Sequence, residues 1–179
     1  MEVGVASNLT VGTAALLLAD SSATAQAQVK VGLVLSLSGP VSSIGIPNSQ
    51  GVAAWAAAGT EVAGQKIIII QIDDASDPAT SARAAKKLIE EDRVDILIRS
   101  AGAPASLAMY GVAAEAKVLT IIVGNVFVAG ERGDWQITIP QLTPLMIAAD
   151  VEHMKRNGIK TVAYIGFNDA WATSSMTPW

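Results

Sequence analysis

The stretch IIIIQIDDASDPATSARAAKKLIEEDRVDILI, residues 67–98, reads as a strand, a turn, a helix and a second strand. Residues 67–72 are an apolar, β-branched run of the kind that a strand buried on both faces carries. Residues 73–77 form a polar turn. Asp77 followed by Pro78 starts a helix, with a carboxylate at the N-cap and a proline at N1, where its missing N–H costs nothing. Ala82, Ala85, Leu88 and Ile89 recur at helical spacing, while Arg83, Lys86, Lys87, Glu90 and Glu91 form a wet face. Residues 94–98 are the next strand. A βαβ unit of this kind implies a parallel sheet with a right-handed crossover. Open parallel sheets take ligands at the carboxyl ends of their strands.

The same alternation runs outward in both directions. Residues 29–37 (VKVGLVLSL) read as the first strand, and Ser38-Gly39-Pro40 turns out of it. Residues 43–50 read as a polar loop marked by Gly and Pro, and residues 51–58 as a short Ala-rich helix carrying Trp55. After residues 100–106, a loop of small residues, Pro104 opens a helix to about Lys117. A strand follows at 118–123, a Gly-containing loop at 124–133 and a short strand at 135–139. Thr143 caps a helix over 144–156, which Asn157-Gly158 stops, and 161–167 reads as a last apolar strand. The fold class that follows is α/β, a Rossmann-like, doubly wound parallel sheet with helices on both faces. The loops at 36–43, 100–106 and 124–125 are rich in small residues. Such loops let a ligand approach the N–H groups of a helix N-terminus, a favourable place for a carboxylate.

Composition excludes several function classes. The 179 residues suffice for one full domain, and the net charge of −4 comes without any basic cluster, so nucleic acid is not an expected partner. With no cysteine there are no disulfides, no thiolate metal sites and no lipidated N-terminal cysteine. His153 is the only histidine, lies mid-helix and reads as exposed or interfacial, so no metal is expected. Asp73 and Asp74 read as turn residues rather than an acid/base pair, because adjacent carboxylates after a strand point apart. No Gly-rich dinucleotide motif, P-loop lysine or nucleophile elbow is present. The expectation is a binding module with no cofactor, not an enzyme.

Residues 1–27 differ from the rest. The apolar run at 11–19 (VGTAALLLA) is too short to span a bilayer, and Ala23-Thr24-Ala25 and Ala25-Gln26-Ala27 offer small-x-small cleavage sites. This resembles the end of a secretory signal peptide, although Met1-Glu2 provides no positive n-region. A helical or disordered extension is the alternative. No stable membrane insertion is expected under either reading.

The ordered set VKVGLVLSLSGPVSSIG, IDDASDPATSARAAKKLIEEDRVDILI, EAKVLTIIV and GIKTVAYIGFNDAW resembles the type I periplasmic substrate-binding proteins of ABC transporters, the leucine/isoleucine/valine-binding group. The resemblance covers roughly residues 29–171. It implies two Rossmann-like lobes joined by hinge strands, a periplasmic location, a small-molecule solute such as an amino acid, and a membrane permease as partner. On that pattern residues 28–139 are lobe one and 140–171 the first hinge crossing and start of lobe two. Residues 172–179 depart from the pattern, and members of the group run to about twice this length. The resemblance implies a ligand loop over residues 100–106, with Ser100, Gly102, Ala103 and Ser106 at the solute. Ala103 stands where the group has a serine. Ser38 and Ser43 fall at the cleft mouth. Gly124, Asn125 and Val126 fall where the group meets the ammonium, and Trp171 stands in place of a tyrosine wall. Two other readings stay open: a truncated, non-functional fragment, or a ligand-sensing receptor domain of the same fold.

Overall fold

The computed structural model describes residues 28–99, 102–124, 131–141, 143–166, 168 and 172. The chain runs β1 (Gln28–Leu35), α1 (Ser42–Ala58), β2 (Glu61–Val62), β3 (Gln65–Asp73), α2 (Pro78–Glu90), β4 (Ile96–Arg99), α3 (Ala103–Glu115), β5 (Leu119–Ile122), a 3₁₀ turn (Glu131–Trp135), β6 (Gln136–Thr138) and α4 (Thr143–Arg156). The strands form one sheet in the order β2-β3-β1-β4-β5-β6. All neighbours are parallel except β2, a two-residue edge strand that turns back antiparallel on β3. The chain leaves β1 toward β3 and then crosses to β4 on the other side. The strand order therefore reverses at β1, and the crevice there is where open α/β sheets bind ligands.

The βαβ unit forms as its residues dictate. Asp77 accepts the Thr80 backbone N–H at 2.7 Å and the Thr80 hydroxyl at 2.6 Å, which satisfies a donor that the first helical turn leaves free. The buried face of α2 is Ser81, Ala84, Ala85 and Leu88. It packs with Val34, Val94, Leu97, Met109 and Ala113 into the main core, so α2 and α3 cover one face of the sheet together. Val31, Leu33 and Leu35 alternate to the opposite face, which α1 covers in part.

Three local expectations are corrected. Residues 43–50 are not a loop: they are the first half of α1, with Pro47 inside the helix. Proline removes one helical donor, but its fixed φ suits a helix, and the remaining turns hold. The tight approach of this turn to β1 depends on Gly45, where a Cβ would lie 2.0 Å from the Ser36 carbonyl oxygen. The strand expected at 161–167 is absent over its described residues, 161–166, which carry no regular structure and are exposed. An apolar run becomes a strand only where a neighbour pairs its backbone, and no described strand does so. β1 also ends at Leu35, two residues early, because the backbone turns and Leu37 N–H bonds the Leu35 carbonyl. Residues 1–27, and with them the signal-peptide reading, lie outside the described residues. Among the described residues no helix is long and apolar enough to cross a membrane.

Candidate functional site

Two turns meet at the carboxyl ends of β1 and β3, and the paired aspartates join them. Asp73 accepts from the N–H groups of Leu37 (2.8 Å), Ser38 (3.3 Å) and Ala75 (2.8 Å) and from the Ser38 hydroxyl (2.8 Å). Burial pushes its carboxyl up, but these hydrogen bonds outweigh it and hold Asp73 below the usual carboxylate range. Asp74 is fully buried and accepts from the Ser36 hydroxyl at 2.7 Å and the Ser76 N–H at 2.9 Å. Ser76 in turn donates its hydroxyl to the Ser38 carbonyl at 2.7 Å and accepts the Val41 N–H at 3.2 Å. Asp74 is thus a turn residue, as expected, while Asp73 ends β3 and braces the same turns, and together they fix one rim of a cleft.

That cleft, of about 240 Å³, is lined by Pro40, Val41, Ser76, Gly102, Pro104, Ala105 and Asn168. Its other rim is the start of α3. Gly102 is the N-cap and supplies no side-chain cap, and no acidic residue stands in the first turn. The first-turn N–H groups of this helix therefore carry its positive end toward whatever fills the cleft. A Cβ on Gly102 would come within 3.3 Å of the Val41 side chain and narrow the space between the rims.

Arg99, the last residue of β4, lies behind this rim and is wholly buried. Its Nη1 donates to the Ser106 carbonyl at 2.5 Å, and its guanidinium sits 5.1 Å from the centre of the Tyr110 ring. Nε and Nη2 have no partner among the described residues. Burial pushes its pKa down to about 10, with Tyr110 opposing the shift, so the group stays charged at neutral pH.

The residues singled out from the sequence divide around this geometry. Gly102 lines the cleft, and Ser38 reaches its edge through the carbonyl that Ser76 holds. Ser43 is exposed in the first turn of α1, away from the lining. Ala103 is buried in the first turn of α3, and Ser106 is fully buried there, its carbonyl serving Arg99. Gly124 is buried just beyond the end of β5. Ser100, Asn125, Val126 and Trp171 lie outside the described residues. Sequence reasoning missed Val41, Ser76 and Asn168, which come together only through the meeting of separate turns. It also missed Arg99, which two-residue alternation puts in phase with the core residue Leu97.

A second concavity of about 460 Å³ lies on the face of the sheet under α1. Its lining is apolar apart from Asn48 and includes Leu33, Leu35, Trp55, Ile69 and Ile98. It offers no convergent polar groups to orient a solute, and it sits on the sheet face rather than at the strand ends.

Comparison with known proteins agrees with this architecture. Residues 28–179 match the family model described as periplasmic binding protein. An extracellular ligand-binding receptor from Rhodopseudomonas palustris HaA2 is 35% identical, with a TM-score of 0.78 over 84% of this chain and 42% of that one. A solute-binding protein of an ABC transporter from R. palustris BisB5, solved with 3,4-dihydroxybenzoic acid, is 29% identical, with a TM-score of 0.65 over 74% of this chain and 37% of that one. A leucine-binding protein from Thermotoga maritima shares the fold at 21% identity, with a TM-score of 0.64 over 72% of this chain and 37% of that one. The chain spans about two fifths of the length of these structures. No curated protein matches it.

Proposed function

The chain belongs to the periplasmic binding protein family, and on that premise we propose that it forms one wall of an extracytoplasmic solute site that takes a small carboxylate for an ABC transporter. The observation that carries the reading is the cleft at the strand ends, closed on one side by the uncapped start of α3. A carboxylate there accepts from first-turn N–H groups and meets the positive end of the helix. The relative that holds 3,4-dihydroxybenzoic acid supports an aromatic carboxylate as well as the branched-chain amino acids that the sequence suggested.

Binding in this reading is two-sided. The cleft supplies carboxylate donors and a small-residue floor, and closure of a second lobe supplies the opposite wall. A single wall leaves most of the solute wet, so binding to this wall by itself is weak. The periplasm as location fits the start of the family match at residue 28, directly after the small-x-small site that ends at Ala27. A membrane permease is the expected protein partner. The similarity to ligand-binding receptors favours one other reading, in which the same site reports a solute to a signalling partner instead of delivering it.

A titration of the isotopically labelled chain with 3,4-dihydroxybenzoate and with leucine tests the proposal. Shifts of the Gly102, Ala105, Val41 and Ser76 amides that saturate with either solute are the expected result. Unmoved amides at millimolar concentrations of both would sink it.

A further inference from the structure

Among the described residues the chain carries a strand-like segment with no sheet to join and a sheet edge with no strand to cover it. The segment is residues 160–166, which follow α4, are exposed throughout and have no regular structure. Thr161, Val162, Tyr164 and Ile165 are residue types that favour a strand, and Ile165 is 98% exposed. The edge is the outer side of β6, the last strand of the sheet. The Ile139 N–H turns inward to the Ile122 carbonyl, so alternation aims the N–H and carbonyl of Thr138 outward. The opposite edge is protected, because β2 is only two residues long and sets Glu61 beside Lys66. β6 has no charged residue and exposes Ile137, with Ile139 exposed just after it. A strand–helix–strand link pairs its two strands in one sheet only when the helix packs back on that sheet. α4 does not do so: its only buried residue is Thr143, and it packs substantially on no described strand or helix. Its 14 residues carry the segment about 21 Å from the first turn of the helix.

We propose that the 179-residue chain forms a two-fold dimer in which residues 160–166 of each copy pair along the β6 edge of the other. A second copy fits because each chain supplies both halves of the contact. The exchange therefore closes after two chains and leaves neither an edge nor a segment uncovered. A partner of another sequence would have to bring its own segment and its own edge. Charge does not oppose the pairing, since Lys160 is the only charged residue of the segment and β6 has none. Strand addition of this kind draws affinity from backbone hydrogen bonds and specificity from alternate side chains. Ile137, Ile139, Leu145, Val162, Tyr164 and Ile165 are the exposed apolar side chains that the contact takes out of water. Together they offer about 800 Å² a copy, the scale that a standard interface buries on each partner. The inference is independent of the solute reading, because it uses no residue of the cleft.

The test is sedimentation of the 179-residue chain from micromolar to millimolar concentration, with three variants. The unaltered chain should show a reversible monomer–dimer equilibrium that stops at two copies. Ile165→Asp should weaken the dimer at least about tenfold, and Ile165→Leu should keep it. Neither should change unfolding of the dilute monomer, because the side chain is already in water there. Thr138→Pro removes the outward N–H but no bond to β5, and it should weaken the dimer as Ile165→Asp does. A monomer at every concentration would overturn the inference, and so would growth past two copies. A dimer that survives Ile165→Asp would place the contact on another face, such as the trough under α1, and overturn it too. A dimer lost in Ile165→Asp but kept in a folded Thr138→Pro chain would show that the segment docks away from the β6 edge, which also overturns it. Should Thr138→Pro fail to fold, Thr138 N-methylation by semisynthesis tests the same N–H.

Discussion

The two faces of the sheet are built differently. On one, α2 and α3 pack together over Val34, Leu97 and Ile122, and the interior is closed. On the other, α1 covers Leu33 and Leu35 and leaves a trough of about 460 Å³, while Ile137 and Ile139 are 51% and 67% exposed. The first face holds the fold together. The second is buried beneath α1 and open toward β6, and its open part contributes less per residue to stability. The solute cleft lies at the strand ends, where neither face dominates, and its parts are positioned by turns that the closed face anchors. The difference separates stability from recognition within one sheet.

Neighbouring residues on β4 test that separation most strongly. Leu97 points into the closed face, and Ile98 into the trough. Leu97→Ala should cost about 3–4 kcal/mol by denaturant unfolding, because it removes buried methyl groups and leaves a cavity. Ile98→Ala should cost about half that, since its site is already open to water. Equal losses would break the contrast between the faces.

The next effect concerns how α1 sits. Gly45→Ala puts a methyl group against the Ser36 carbonyl, so the first half of α1 must move away from β1. A loss of about 2 kcal/mol is expected, together with changed amide shifts at Ser38 and Val41 on the cleft rim. An unperturbed rim would show that α1 does not help to position the cleft.

The rim's dependence on pH is smaller. Asp73 and Asp77 both titrate below the ordinary aspartate value of 3.8 in the folded chain. A depressed folded value means that their contribution is present above the unfolded pKa and is lost as pH falls through the folded value. Stability should therefore be level near neutrality and decline only below about pH 4. Asp73→Asn should flatten the decline. An unchanged acid limb in that variant would remove Asp73 from the account.

The smallest change in stability is expected on the open face. Ile137→Thr should alter unfolding by less than about 1 kcal/mol, because the side chain is half exposed. It should nonetheless reduce self-association at high concentration, read by sedimentation, since apolar patches of this kind drive association. Strong destabilisation with no change in association would mean that this face is better packed than its exposure indicates.

Much of this architecture is legible in residues 67–98, because each local signal there agrees with the others. The isoleucine run, the Asp77 cap and the buried stripe of α2 all describe one unit, and the structure forms it. The first half of α1 was hidden because Gly45, Pro47 and the serines carry turn chemistry, and only the approach to Ser36 shows why a helix tolerates them. The apolar residues 161–166 misled in the opposite sense, since hydrophobicity marks a strand only where a partner pairs it. Gly102 could be read from its loop, but Val41, Ser76 and Asn168 could not. They are distant in sequence, and their meeting depends on the aspartate-held turns. Arg99 did leave a signal, a lone arginine two residues after Leu97, but ending the strand at Ile98 concealed it.

Where a small carboxylate binds decides between the cleft at the strand ends and the trough under α1. Amide shifts of the labelled chain with benzoate should map to Val41, Ser76, Gly102 and Ala105 at the strand ends. Shifts confined to Val52, Trp55 and Ile98 would place the solute in the trough under α1 and contradict it.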